Sequence, residues 1–333
     1  MYKQDSYDYV LITGHGRSGT TWLLSLMDLS PLTHCRQEPA SREYKKNPWY
    51  DLPSRSRHLR KADLLTMEAG WERAVAWSAL RVGLRDLPLV VHKQHIHVLA
   101  QRLGSDRLIK SRKLRHLINR FYPYPSASEW YLPLWYGNRS ALEQALPVFN
   151  LHRIPAWTTW VLENQPQAFV LHIVRHPGGY LNSWINFWLN KSNRDEVTCA
   201  NRQRLWKVAD ANNYWKQKFG NIAQMSAEES ELWFWRYATE TIHNVGISSS
   251  NYHLIIYEDL VMRTIPVIRR IYDTCGLPWN STLDQEVKAT TSNSYAIASA
   301  WKSKLSNNRL DLVTKIINDS PLQELWNNTQ ISR

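Results

Sequence analysis

The sequence has little cysteine. Cys35, Cys199 and Cys275 stand far apart in 333 residues, form no C-x-x-C pair and complete no zinc ligand set. A sparse, odd count fits a reducing compartment. No apolar run reaches the roughly 18 residues needed to span a bilayer. The first residues, Met1 to Asp8, are polar and contain no signal-peptide pattern. These absences predict a cytoplasmic chain without a transmembrane segment, in which sequons such as those at Asn138 and Asn280 carry little weight. Internal repeats, low-complexity tracts and a recognisable domain linker are missing too, so residues 1–333 are expected to form one elaborated domain.

Acidic residues are in deficit. The balance of 41 Lys and Arg against 29 Asp and Glu gives a formal charge of +12, which favours an anionic partner: a nucleotide, an acidic glycan, a lipid head or nucleic acid. The basic residues are spread over several segments and make no single recognition helix, which argues against a nucleic-acid partner. A hydrophobic content of 43% with ordinary Gly and Pro indicates a globular chain.

Short runs rich in Val, Ile and Leu read as buried parallel strands at Tyr9–Thr13, Leu89–His92, Arg107–Lys110, Phe169–Val174 and Tyr252–Tyr257. Helical patterns fall between them, at Thr20–Leu29, Ala62–Leu84, Ser111–Phe121, Ala156–Asn164, Gly178–Leu189, Arg202–Phe219, Glu228–Val245 and Thr264–Cys275. This alternation predicts an α/β fold, a central parallel sheet flanked by helices. Arg42–Lys61 and Phe121–Gly137 read as irregular loops. Trp184, Trp188, Trp233 and Trp235, among 17 tryptophans, sit on helical patterns and are expected to pack.

One stretch, LITGHGRSGTTWL, passes from an apolar run through glycines into a helical pattern. Gly14, Gly19 and Thr21 match G-x-x-x-x-G-K-[ST], but Thr20 occupies the lysine position. Glycines let successive backbone N–H groups point into one concavity, and the following helix adds its positive end. Ser18, Thr20 and Thr21 supply hydroxyls, and the cation is Arg17. Without the lysine or an evident Walker B acid, a magnesium–triphosphate site is doubtful, and no metal is expected. The alternative of a P-loop nucleotide kinase predicts both features. A ligand-free turn has less use for so many donors.

A second stretch is LHIVRHPGGYLNSW. An apolar run ends at Arg175, Pro177 opens a helix, and Ser183 follows Arg175 by eight residues. Arginine offers a fork and serine a hydroxyl, and the two can converge on one phosphate.

GRSGTTWL resembles the 5′-phosphosulfate-binding loop of sulfotransferases that use 3′-phosphoadenosine 5′-phosphosulfate (PAPS), in the arginine form of the carbohydrate and tyrosylprotein branches. The layout from Arg175 to Ser183 is similar to that family's 3′-phosphate motif. YHLIIYEDLV resembles a family strand ending in Y-E-D-L. There Tyr257 would contribute to the nucleotide site, with Glu258 and Asp259 capping the next helix. AWKSKL is similar to a segment that brings cations to the cofactor, from Lys302 or Lys304. The resemblance runs from about Tyr9 to about Leu305. It implies a three-layer sandwich like that of P-loop nucleotide hydrolases and PAPS as co-substrate. Gly16, Arg17, Ser18, Gly19, Thr20, Thr21 and Trp22 would bind it, together with Arg175, Ser183, Tyr257 and Lys302.

Sulfuryl transfer needs cations on the leaving phosphate and a base at the acceptor hydroxyl. Arg17 and Lys110 are the expected cations. Lys110 ends the run RLIK, a pattern similar to the family's lysine-bearing strand end. The base is expected to be Glu38 of CRQEPA, at the distance from the loop seen in the arginine-type branches. His95 in HKQHIH, with Lys93 beside it, is the rival, and His15 is a further candidate. Aromatics outside the helical patterns, such as Trp49, Trp130 and Trp135, would suit a sugar or lipid-like acceptor, with residues 42–61 and 121–137 lining its cleft. The expected acceptor is a glycan or glycolipid hydroxyl. A small alcohol, phenol or polyketide-type hydroxyl, or a nucleotide-binding pseudoenzyme, stays open, as does the oligomeric state.

Overall fold

The computed structural model describes residues 7–38, 139–152, 155–291 and 294–327. Lys110, His95 and Lys93 lie outside them. So do the strands expected at Leu89–His92 and Arg107–Lys110, the helices expected at Ala62–Leu84 and Ser111–Phe121, and the two irregular segments.

Five parallel strands form the sheet: β1 (Tyr9–Gly14), β2 (Thr33–Gln37), β3 (Leu146–His152), β4 (Ala168–Val174) and β5 (Tyr252–Ile256), in the order β2-β3-β1-β4-β5. β1 is buried throughout because both its faces are covered. Val10 and Ile12 point into one apolar cluster with Leu23, Leu24 and Ile271, whereas Tyr9 and Leu11 point into another with Trp157, Val161 and Ile242. The helices include α1 (Thr20–Met27), α2 (Pro155–Asn164), α3 (Pro177–Phe187), α4 (Arg194–Ala211), α5 (Ala227–Gly246), α6 (Tyr257–Met262) and α7 (Thr264–Thr274), with α3 and α4 packing into a third cluster. They are followed by α8 (Ser294–Ser299), α9 (Trp301–Lys304) and α10 (Asn307–Ile317). The fold is α/β with a central parallel sheet between helical layers, as expected.

Several details differ from the sequence reading. β2 and β3 are additional strands. Their sequences, THCRQ and LPVFNLH, interrupt the apolar run with charged and polar side chains and a proline. The helix expected over Arg202–Phe219 is two helices, Arg194–Ala211 and Asn213–Phe219, parted at Asn212, whose side chain accepts the N–H of Trp215 and caps the second. Trp188 is not packed. It is 50% exposed because α3 ends at Phe187 and Trp188 forms its C-cap, whereas Trp184, Trp233 and Trp235 are buried.

Candidate functional site

All five strands run the same way, so their C-terminal ends lie on one edge, where the Gly14–Gly19 loop, Glu38, Arg175 and Tyr257 follow β1, β2, β4 and β5. The Gly14–Gly19 loop leaves β1 on this edge. Gly19 caps α1 with φ of 98°, and no side chain caps the helix, so its first N–H groups remain for a ligand. A side chain at Gly19 would meet the Tyr257 ring at 2.6 Å. Three described non-glycine residues have positive φ, and two of them are Arg17 (74°) and Glu38 (48°), both predicted site residues. Such backbone is held in place only where the surroundings require it.

Arg175 ties the two motifs together. It follows the last residue of β4 and is 5% exposed. Its Nη1 donates to the carbonyl of Arg17 and its Nη2 to that of Ile297 in α8, both at 3.2 Å. The guanidinium lies 4.5 Å from the centre of the Tyr257 ring. The Arg17 side chain donates through Nε to Ser183 Oγ at 3.2 Å and covers the Phe187 ring at 4.2 Å. The loop and the 3′-phosphate-like motif therefore share one wall. Burial, and to a lesser degree the neighbouring Arg17, weakens proton retention by Arg175, while Tyr257 and Glu258 oppose this. A desolvated guanidinium is the form that gains most from an anion.

The helix after Arg175 is set by local sequence. His176 is the N-cap of α3, its Nδ1 accepts the N–H of Gly178 at 3.1 Å, and Pro177 fills the first turn. The Trp301 ring stacks on His176 at 4.3 Å and lies so close to Gly178 that any Cβ there would sit 2.4 Å from it. This contact presses the C-terminal segment against the site. Burial, then Lys302 and Arg175, pushes His176 down to about 3, so the ring is neutral.

Between these parts lies a cavity of about 480 Å³, bounded by Arg17, Arg175, Ser183, Asn186, Ile297 and Lys304 among others. Its volume suits a nucleotide-sized ligand. Among the residues bounding it, Arg175 has an enclosed Nε with no hydrogen-bond partner, and Ser18 Oγ and Trp22 Nε1, in the loop and the first turn of α1, are likewise enclosed and unpartnered. Buried polar atoms are normally paired, so an anion with several acceptor oxygens fits this donor set. Among the described residues no cluster of three or more His, Cys, Asp or Glu is arranged to hold a metal ion.

The other predicted residues fall as follows. Thr20 is buried, Thr21 exposed and Gly16 half-buried in the loop. Tyr257 packs behind the cavity, edge-on to Trp22 at 6.0 Å, and burial raises its hydroxyl above the usual range. Lys302 is exposed and does not line the cavity, whereas Lys304 does. Glu258 does more than cap: it accepts the N–H of His176 and the indole N–H of Trp326, each at 3.1 Å, and burial raises its carboxyl. Asp259 faces Arg263 at 3.2 Å. His15 is 3% exposed and turned inward, edge-on to Tyr180 and 4.0 Å from Glu231. Glu38 stands on the same sheet edge, with Oε1 2.9 Å from His152 Nε2. Sequence reasoning missed Asn182, Asn186 and Phe187, which share the Ser183 side of α3 and could have been found by helical projection from it. It also missed Ile297 and His152, for which no local motif exists.

The model of the sulfotransferase family matches residues 9–281. Among solved structures, the sulfotransferase domain from the curacin biosynthetic pathway has 15% identity and a TM-score of 0.46, covering 93% of this chain and 96% of that one. The sulfotransferase domain from the Synechococcus PCC 7002 olefin synthase has 17% identity and a TM-score of 0.43, with coverage of 94% and 95%. Sulfotransferase STF9 from Mycobacterium avium has 12% identity and a TM-score of 0.41, with coverage of 98% and 77%. No curated protein matches the chain.

Proposed function

We propose, from the premise that the chain belongs to the sulfotransferase family, that it moves a sulfuryl group from PAPS to an acceptor hydroxyl without a metal ion. The observation that carries this reading is the shared wall: buried Arg175 holds the carbonyl of Arg17, and Arg17 holds Ser183. Two motifs whose arginines are 158 residues apart thereby meet on one cavity. A nucleotide with phosphates at both ends of its ribose matches two such centres. Arg175, Ser183 and Lys304 would hold the 3′-phosphate. The loop N–H groups with Arg17, Ser18, Thr20 and Thr21 would hold the 5′-phosphosulfate.

In the reaction the acceptor oxygen bonds to sulfur, the bond from sulfur to the bridging phosphate oxygen breaks, and the acceptor proton passes to Glu38. Arg17, with Lys110, stabilises the charge that collects on the leaving phosphate. The acceptor reading is a glycan or glycolipid hydroxyl. It rests on the basic charge and on the aromatic segments around Trp49 and Trp130. The test is incubation with sulfur-labelled PAPS and fractionated acceptors. Label in the glycan or glycolipid fraction, lost in Glu38→Gln, supports the reading. Label only in small alcohols or phenols overturns the acceptor class, and wild-type labelling by Glu38→Gln overturns the base.

A further inference from the structure

The ends of β2 and β3 bring a carboxylate and an imidazole together. Glu38 follows the last residue of β2, and its N–H donates to Asn150 O at 3.0 Å, extending the ladder past the strand. His152 closes β3 and opposes Gly14 of β1, where the anion-binding loop begins. Neighbouring strands are ~4.8 Å apart, so the pair stands one to two strand spacings from that loop. His34 and Arg36 share one face of β2, and Asn150 shares the His152 face of β3. With Glu38 Oε1 at 2.9 Å from His152 Nε2, the left-handed backbone of Glu38 (φ 48°) delivers the carboxylate to the ring.

The second ring nitrogen fixes the proton pattern. His152 Nδ1 is enclosed and has no hydrogen-bond partner. An ionised carboxylate only accepts, so Nε2 carries the hydrogen and donates it. A further proton on Nδ1 would be enclosed without an acceptor.

We propose that His152 is the positioning residue for Glu38, its Nε2–H holding the carboxylate in one orientation as it takes the acceptor's proton. This rests on the proposed role of Glu38. The proton moves from the acceptor hydroxyl to Glu38, and His152 neither gains nor loses one.

Two measurements on the full chain test this without an acceptor. In the nitrogen-15 spectrum at neutral pH, His152 should show a protonated Nε2 and an unprotonated Nδ1, and Glu38→Gln should weaken that preference. In carbon-13 titrations the Glu38 carboxyl, assigned by its loss in Glu38→Gln, should titrate at higher pH in His152→Ala than in wild type, because the ionised form loses a donor. It should return most of the way in His152→Gln, whose amide N–H reaches a similar point. A merely structural histidine would give no such rescue. A doubly protonated ring, a midpoint unmoved in His152→Ala, or failure of His152→Gln to restore it overturns the inference. Calorimetry with 3′-phosphoadenosine 5′-phosphate separates the two levels. If wild type does not bind it, the sulfuryl-transfer reading falls. If it binds and the titration is uncoupled, only the pairing falls.

Discussion

Arg175 is the residue on which the contacts of the cavity converge. It lends two donors to backbone carbonyls, faces an aromatic ring and keeps Nε unpaired. Charge-assisted bonds from such a group contribute about 1.5–3 kcal/mol each. Arg175→Ala should therefore weaken 3′-phosphoadenosine 5′-phosphate by about 10- to 100-fold, with little change for adenosine 5′-phosphate. Calorimetry on both nucleotides checks this, and equal losses would reassign the arginine. Gly19 offers a second test at this scale. Its φ of 98° and the Tyr257 ring 2.6 Å from any added Cβ leave Ala no relaxed position. Gly19→Ala should cost about 1–3 kcal/mol in urea unfolding and weaken nucleotide binding. Unchanged stability and affinity would mean that the loop yields freely.

At the scale of elements, the β4–α3 junction carries two buried histidines. His172, through burial and then His243, and His176, through burial, Lys302 and Arg175, are both lowered to about 3. Each is neutral when folded and binds a proton near 6.5 when unfolded. Their stabilising contribution is therefore complete above about pH 6.5 and is lost as pH falls towards 3. Urea midpoints should fall over that window, and His176→Asn, which keeps an N-capping acceptor, should flatten the decline. A midpoint that holds or rises on acidification contradicts the assignment. The same elements explain what was legible in the sequence. β1, β4 and β5 are recognisable because their apolar runs end in Gly14, Arg175 and Tyr257. β2 hides because burial of His34 and Arg36 answers to tertiary partners, and β3 hides behind Pro147 and Asn150. The Arg175–Ser183 motif was readable because it is confined to one strand end and one helix. The Glu38–His152 pair was not, because register between two unrecognised strands creates it. Lys304 displaced Lys302 on the cavity because only α9 geometry separates two lysines two residues apart.

The whole molecule carries +12, and the donors proposed to bind the nucleotide follow the C-terminal edge of a single sheet. Long-range attraction adds to the local contacts and is screened by salt. Affinity for 3′-phosphoadenosine 5′-phosphate should therefore fall by about an order of magnitude between low and high ionic strength. A salt-independent constant would assign binding to the enclosed donors alone. No helix among the described residues is long and apolar enough to cross a membrane. The central claim is that two anion centres on one cavity bind a nucleotide bearing phosphates at both ends of its ribose, without a metal. The most direct measurement is calorimetric titration of the intact chain with 3′-phosphoadenosine 5′-phosphate, with and without magnesium, beside ATP with magnesium. Saturable one-to-one binding of the 3′-phosphorylated nucleotide is expected, unchanged by magnesium and much tighter than that of ATP. Absence of that binding, or tighter binding of magnesium–ATP, would contradict it.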